Sequence, residues 1–308
     1  MIKILSYAAA VLVPVFFVGI SLKYTTHDYF SNKSVLIAQP ILPGAAKAIL
    51  TLDNGETINL NKETADALQT IEGTNIQIDS TTLNYQLAQS TSVSPKPVYN
   101  KVEIPRGGEY ALVLSDGTKV HLNSMSSLRF PVAFTTGKRE VELQGEAYFE
   151  VSKTGQPFIV NANGIQVEVL GTTFNISAYP DEEYQTTLVN GSVKVSAEKG
   201  ESLILKPSQQ ATIALGSNSI QVRTVDTSFY TSWVKGKIKF KDQRLEDIMK
   251  TLSRWYDMNV VYENEKLKNI RFGCNLNRYE EITPFVKLLE KTEEVHVKIE
   301  GNTITFHN

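Results

Sequence analysis

The sequence predicts a mainly β protein: a β-sandwich or jelly-roll-like domain, with a β-solenoid as the alternative, followed by a small α+β domain and preceded by one transmembrane helix. Three observations carry that reading. Short alternating runs broken by Gly, Asn and Asp recur from about Ala48 at strand-and-turn spacing. A stripe with helical period first appears only after Thr227. Residues 4–22 form an uncharged apolar run, long enough as a helix to cross about 30 Å of hydrocarbon.

That first run, Ile4–Leu22, lies between Lys3 and Lys23, so counting positive charge does not orient it. A cleaved signal peptide is the competing reading, with Lys3 as a minimal basic region. Gly19-Ile20-Ser21 is a poor small-residue cleavage site, and the run is long for that role. Either way, everything after Lys23 is expected outside the cytoplasm. Residues 23–47, polar and then carrying Pro40 and Pro43, read as a tether.

From 48 to 226 the chain reads as strands. "AILTLDNGETINLN" (48–61) alternates around Asn54-Gly55, a hairpin signal of the type I′ kind, because Asn and Gly both tolerate φ > 0. "LSDGTKVHLN" (114–123) repeats "LDNGETINLN" (52–61) without gaps, with Asp116 in place of Asn54 and His121 in place of Asn59. A catalytic Asp–His pair would not survive that replacement, whereas a strand–turn–strand unit would. Asp116 and Gly117 are therefore expected to make a turn, with His121 and Asn123 on the solvent side. In "REVELQGEAYFEV" (139–151), Val141, Leu143, Gly145, Ala147, Phe149 and Val151 share the core parity, and residues from Arg139 to Glu150 supply the polar one. Further turns are expected at Asn163-Gly164 and Asn190-Gly191.

Residues 227–308 read as β-α-β-β-α-β-β. Leu245, Ile248, Met249, Leu252 and Trp255 make a helical stripe with Asp242 as the expected N-cap. Thr283 and Pro284 open a second helix as N-cap and N1. "VHVKIEGNTITFHN" closes on a hairpin at Gly301-Asn302.

Composition narrows the function. With 42% hydrophobic and 21% charged residues, the 308-residue chain is ordinary globular protein. A net charge of −2 argues against nucleic-acid binding, which needs a basic stripe. Cys274 is the single cysteine and reads as a buried thiol; His27, His121, His296 and His307 form no helical ligand pair. No cofactor or metal site is expected from these motifs. The carboxylates Glu140, Glu142, Glu146 and Glu150 are the candidates for acid–base chemistry in a hydrolase. Their place on a strand's polar parity reads instead as a solvated face. Tyr148, Phe174 and Tyr179 are the aromatics a carbohydrate platform could use, and all suit a core or strand face better.

The ordered motifs GEAYFEV, VLGTTFNISAY, LVNGSVKV and LKPSQQA, within 107–213, resemble the periplasmic domain of the FecR family. "WVKGKIKFKDQRLEDIMKTLSRWYDMNVVYE" resembles the C-terminal domain of that family, itself similar to the short signalling domain of secretins and TonB-dependent transducers. The resemblance implies a non-enzymatic, single-pass inner-membrane regulator, mostly periplasmic. Such a regulator relays the state of a TonB-dependent outer-membrane transporter's signalling domain to an extracytoplasmic-function sigma factor. Members carry a cytoplasmic helical segment before the span, and only Met1-Ile2-Lys3 precede it here. That departure implies either a sequence that starts short or a sensor that does not hold sigma itself. The partner strand is expected to dock by β-augmentation on Asn259, Val260, Val261 and Tyr262, or on Ile270, Arg271 and Phe272. An envelope carbohydrate-binding or hydrolytic β protein is the alternative.

Overall fold

A computed structural model describes residues 40–61, 67–71, 74–85, 97–135, 137–198 and 200–308. The expected membrane helix at 4–22 lies outside these residues. Among those described, no helix is long and apolar enough to cross a membrane.

The first strands are β1 (Ala45–Ala46), β2 (Ala48–Thr51), β3 (Thr57–Leu60), β4 (Ala67–Ile71), β5 (Thr74–Ile78), β6 (Thr82–Asn84), β7 (Tyr99–Glu103), β8 (Gly108–Val113), β9 (Lys119–Leu122) and β10 (Ser127–Pro131). After the long β11 (Arg139–Glu150) come β12 (Phe158–Ala162), β13 (Ile165–Val169), β14 (Thr173–Ala178), β15 (Tyr184–Asn190), β16 (Val193–Ala197), β17 (Ser202–Leu205), β18 (Gln209–Ile213) and β19 (Gln221–Thr224).

Pairing resolves them into two sheets. One runs β3-β2-β7-β10-β11-β12-β13-β16-β17. The other runs β4-β5-β6-β8-β9-β11-β14-β15-β18-β19. A single apolar core, including Leu50, Leu60, Val102, Leu112, Val160 and Ile176, is shared by the two sheets, so the domain is a sandwich.

β11 belongs to both sheets. Its first half pairs with β10 and β12, its second with β9 and β14. The switch falls at Gly145, whose φ of +86° and close approach to Ser126 Oγ (2.5 Å from where a Cβ would sit) exclude a side chain. Beyond β11 the chain lays hairpins alternately on the two sheets: β12–β13, then β14–β15, β16–β17 and β18–β19.

The turns refine the expectations. The repeat is real in three dimensions: Leu52 N donates to Glu56 O and Leu114 N to Thr118 O, both at 2.9 Å. In each copy the turn side chain caps the second residue on, Asn54 Oδ1 accepting from Glu56 N and Asp116 Oδ1 from Thr118 N. These are not type I′ turns, because only the glycine has positive φ. The wider five-residue loop needs a left-handed residue only at its fourth position. A two-residue turn with both residues at positive φ occurs instead at Asn163-Gly164, between Ala162 and Ile165. Asn190-Gly191 is no hairpin: β15 and β16 lie in different sheets, and the pair carries the chain across the sandwich.

The second domain follows a helical turn, Ser228–Thr231, and a 3-10 turn, Ser232–Lys235. It consists of β20 (Lys237–Arg244), α1 (Leu245–Tyr256), β21 (Asn259–Tyr262), β22 (Arg271–Asn277), α2 (Thr283–Glu290), β23 (His296–Glu300) and β24 (Thr303–His307). That is the expected β-α-β-β-α-β-β order. β20 pairs with β22, and β21, β24 and β23 make a three-stranded sheet. Leu245, Ile248, Met249, Leu252 and Trp255 are all buried, as their spacing predicts.

Helix starts differ from expectation. Arg244, not Asp242, is the N-cap of α1; Asp242 sits at φ +48° in a bulge of β20 and binds Arg271 Nε at 2.9 Å. Thr283 is the first residue of α2 and Ile282 its cap. The shift of a residue or two is usual where no side chain bonds the free amides.

Residues 40–47, the end of the expected tether, are ordered between the two domains. Ile41 is buried in the second domain's core and its carbonyl accepts from Ile282 N at 3.4 Å. Ala45 N donates to Gly107 O at 2.9 Å, and β1 pairs with β8. Between these points, a Cβ on Gly44 would lie 2.7 Å from Gly107 O and 2.8 Å from the Trp255 ring. Neither backbone nor indole yields cheaply, so Gly44→Ala is expected to cost about 1–3 kcal/mol in urea denaturation.

Candidate functional site

A group of buried polar side chains gathers where the second sheet meets the second domain. Asn123 follows β9 and Asn175 lies on β14, and each is held by a donor that cannot accept. Arg278 Nη2 donates to Asn123 Oδ1 at 2.7 Å, and Trp233 Nε1 to Asn175 Oδ1 at 3.2 Å. Both amides must therefore turn their NH2 groups the same way, toward Glu146. Asn123 Nδ2 reaches Glu146 Oε2 at 2.7 Å and Asn175 Nδ2 reaches Oε1 at 3.0 Å. Burial raises the Glu146 carboxyl above its usual range while these two amides pull it down.

Arg278 is the centre of the junction. It is 2% exposed, and its guanidinium lies 3.7 Å over the Trp255 ring. Its Nη2 also pairs with Glu109 Oε2 at 3.2 Å. Trp255 Nε1 returns a bond to Arg278 O at 2.7 Å, and Tyr279 Oη donates to Glu109 Oε1 at 2.9 Å. Beside it, Arg254 pairs with Glu182 and stacks 3.8 Å over Tyr179. Gly107 N donates to Arg254 O at 2.7 Å, and Arg106 reaches Asp257 Oδ1 and the carbonyls of Ser253 and Met258. A cavity of about 450 Å³ opens next to this network, lined by Glu146, Asn175, Trp233, Lys250 and Arg254 among others. The chemistry is that of a lock between domains: desolvated charge–hydrogen-bond pairs that specify one orientation.

Several expectations need correcting here. Asn123, expected on the wet side, is 7% exposed and sits in the lock. Asp116 makes the expected turn, and its side chain is in addition buried, paired with Arg139 Nη1 at 2.6 Å, with side chains 7% and 1% exposed. Arg139 shares the core parity of β11 and not the polar one. His121 does sit on the outer phase of β9, but it is half-buried against Tyr148, with ring centroids 6.3 Å apart. Spacing alone could not show the burial of Asn123, because a neighbouring domain covers what an isolated sheet would leave wet, nor the Asp116–Arg139 pair, which joins residues 23 apart in the chain.

Burial holds the His121 imidazole below its ordinary 6.5, against the opposing pull of Glu150 and Glu109. A folded-state value below the unfolded one gives stability that is complete above about pH 6.5 and is lost as pH falls through the lowered value. Wild-type urea midpoints are expected to drop on acidification below that point more than those of His121→Gln.

Three of the four strand carboxylates bind different partners, and the fourth faces solvent. Asn161 donates to Glu140, Glu142 pairs with Arg129, Glu146 joins the lock, and Glu150 is exposed. Phe174 and Tyr179 are buried, and Tyr148 is half-buried. Cys274 is half-buried on β22, and desolvation pushes its thiol up to about 11.

The nominated docking residues lie on two separate edges. β21 pairs with β24 on one side, and nothing among the described residues pairs with the other. Asn259 N and Glu263 N donate toward β24, so by alternation Val260 and Tyr262 turn their N–H and C=O groups outward. Val261 is 46% exposed. Among the described residues β22 pairs only with β20; Arg271 is tied to Asp242, Phe272 packs partly on the core, and Ile270 O accepts from Leu245 N.

Comparison with known proteins gives these elements a family context. Residues 100–194 match the model described as FecR protein, and residues 237–306 the model described as FecR, C-terminal. Two solved structures of a protein from Parabacteroides distasonis, described as a candidate anti-sigma factor, share the fold. One has a TM-score of 0.62 at 26% identity, covering 68% of this chain and 98% of that one. The other has a TM-score of 0.63 at 25% identity, covering 68% and 99%. No curated protein matches the chain.

Proposed function

We propose that this chain, a carrier of the FecR and FecR C-terminal domains, is a single-pass inner-membrane regulator with its bulk in the periplasm. It binds the signalling domain of a TonB-dependent outer-membrane transporter and passes that state to an extracytoplasmic-function sigma factor. The observation that carries the reading is the two family domains in series, together with solved structures, described as a candidate anti-sigma factor, that share the fold over 68% of this chain. The alternative hydrolase reading draws no support from the strand carboxylates, three of which are committed to separate partners while Glu150 faces solvent.

The transporter domain docks on the open edge of β21, where Val260 and Tyr262 supply backbone donors and acceptors. The second domain also grips Ile41 and, through Trp255, the strand entry at Gly44. Movement of that domain therefore bears directly on residues 40–47. Val260→Pro removes an outward N–H without touching the ladder to β24, and proline is tolerated at such edges. It is expected to weaken binding of the transporter's signalling domain at least tenfold, and Val261→Lys to weaken it less. Unchanged binding of both variants, read by calorimetry on the full chain, removes β21 as the docking edge.

A further inference from the structure

We infer that His296 and His307 form a binding site for a divalent transition-metal ion of the imidazole-preferring class. The two residues are direct cross-strand partners in the antiparallel pair β23–β24. Side chains directly opposite in such a pair project to the same face. The neighbouring positions Val297, Ile299, Ile304 and Phe306 pack on the core, so both imidazoles stand on the outer face. Two of the chain's four histidines thus meet on one five-residue hairpin arm pair.

Their geometry suits a shared ion. The ring centroids are 5.6 Å apart and the planes inclined by 35°. An ion held about 2.0–2.1 Å from each ring nitrogen lies roughly 3.2 Å from each centroid, so two rings on one ion stand at most about 6.4 Å apart. The observed spacing falls inside that limit, and small side-chain rotations converge the nitrogens.

A second contact fixes which nitrogen is offered. His307 Nδ1 lies 3.3 Å from Asn308 O. A carbonyl can only accept, so Nδ1 carries the proton and Nε2 keeps its lone pair for a metal. This is the arrangement by which outer groups orient ligating histidines. The strand register places Glu263 next in line beyond His307, since Tyr262 pairs with Phe306. No group of three His, Cys, Asp or Glu side chains is close enough to hold an ion among the described residues. The site therefore consists of two imidazoles, with water completing the shell. Such a site binds reversibly and favours Cu2+ over Ni2+ and Zn2+, while Mg2+ and Ca2+, which want oxygen ligands, are excluded.

The test is titration of the full chain with CuCl2, NiCl2, ZnCl2 and MgCl2 in a non-coordinating buffer, with electron paramagnetic resonance on the copper form. The expected result is one ion per chain, two nitrogen donors in the copper spectrum and no Mg2+ binding. His296→Gln and His307→Gln should each weaken binding at least tenfold, while His27→Gln and His121→Gln leave it unchanged. A copper spectrum with one imidazole, or undiminished affinity in either hairpin variant, overturns the site. Thermal denaturation adds a readout independent of signalling: ions should raise Tm in the wild type and not in the double variant, since binding to the folded state alone stabilises it.

Discussion

Arg278→Ala is expected to destabilise the chain by about 3–5 kcal/mol, the cost of removing one partner from a buried charge network. The substitution strips Asn123 Oδ1 and Glu109 of a buried donor and takes the cation from the face of Trp255. It also releases the orientation of Asn123, and with it one of the two amides that hold Glu146. The wild type is expected to unfold in one transition and the variant in two, the second domain first. Urea denaturation followed by intrinsic fluorescence is well placed to read this, because the chain's only two tryptophans are Trp233 and Trp255. Both line the junction. Arg278→Lys keeps a charge without the planar fork, and should recover only part of the loss.

Asp116→Ala is expected to cost a similar amount, about 3–5 kcal/mol, by leaving Arg139 charged and buried in the sandwich. Arg139 keeps the carbonyls of Ser152 and Gln156, at 2.9 and 2.6 Å, but loses its counter-charge. The double variant Asp116→Ala/Arg139→Met should regain much of that stability, since an apolar side chain needs no partner there. The repeat supplies the control. Asn54 occupies the equivalent turn position and caps Glu56 N, so Asn54→Ala is expected to cost about 1 kcal/mol or less. Equal losses at the two positions in urea melts would mean that turn chemistry, not the ion pair, sets the cost at Asp116.

These two residues show how far the sequence could be read. Local patterns carried the architecture: alternation placed the strands, and a helical stripe placed α1 with its buried face correct residue by residue. Gly117 and Gly55 marked equivalent loops because left-handed backbone is a local demand. What failed was anything that depended on a distant neighbour. Asp116 and Asn123 have polar side chains in a turn and at a strand end, and nothing within ten residues reveals Arg139 or Arg278 arriving from elsewhere. Asn190-Gly191 has the composition of a hairpin, but the sandwich's need to alternate sheets uses it as a crossing. Asp242 was spaced like a cap, yet the bulge in β20 turned it toward Arg271. The open edge of β21 was legible from the α+β order, whereas the direction of its free backbone groups required the register.

Hydrogen exchange on the full chain, with and without a cognate transporter signalling domain, tests most directly whether β21 is the input edge and residues 40–47 the output. Docking by strand addition predicts that the Val260 and Tyr262 amides gain protection and that the Ala45 and Gly107 amides change with them. Full protection elsewhere in the second domain, with Val260, Tyr262, Ala45 and Gly107 all unaltered by saturating partner, would contradict it.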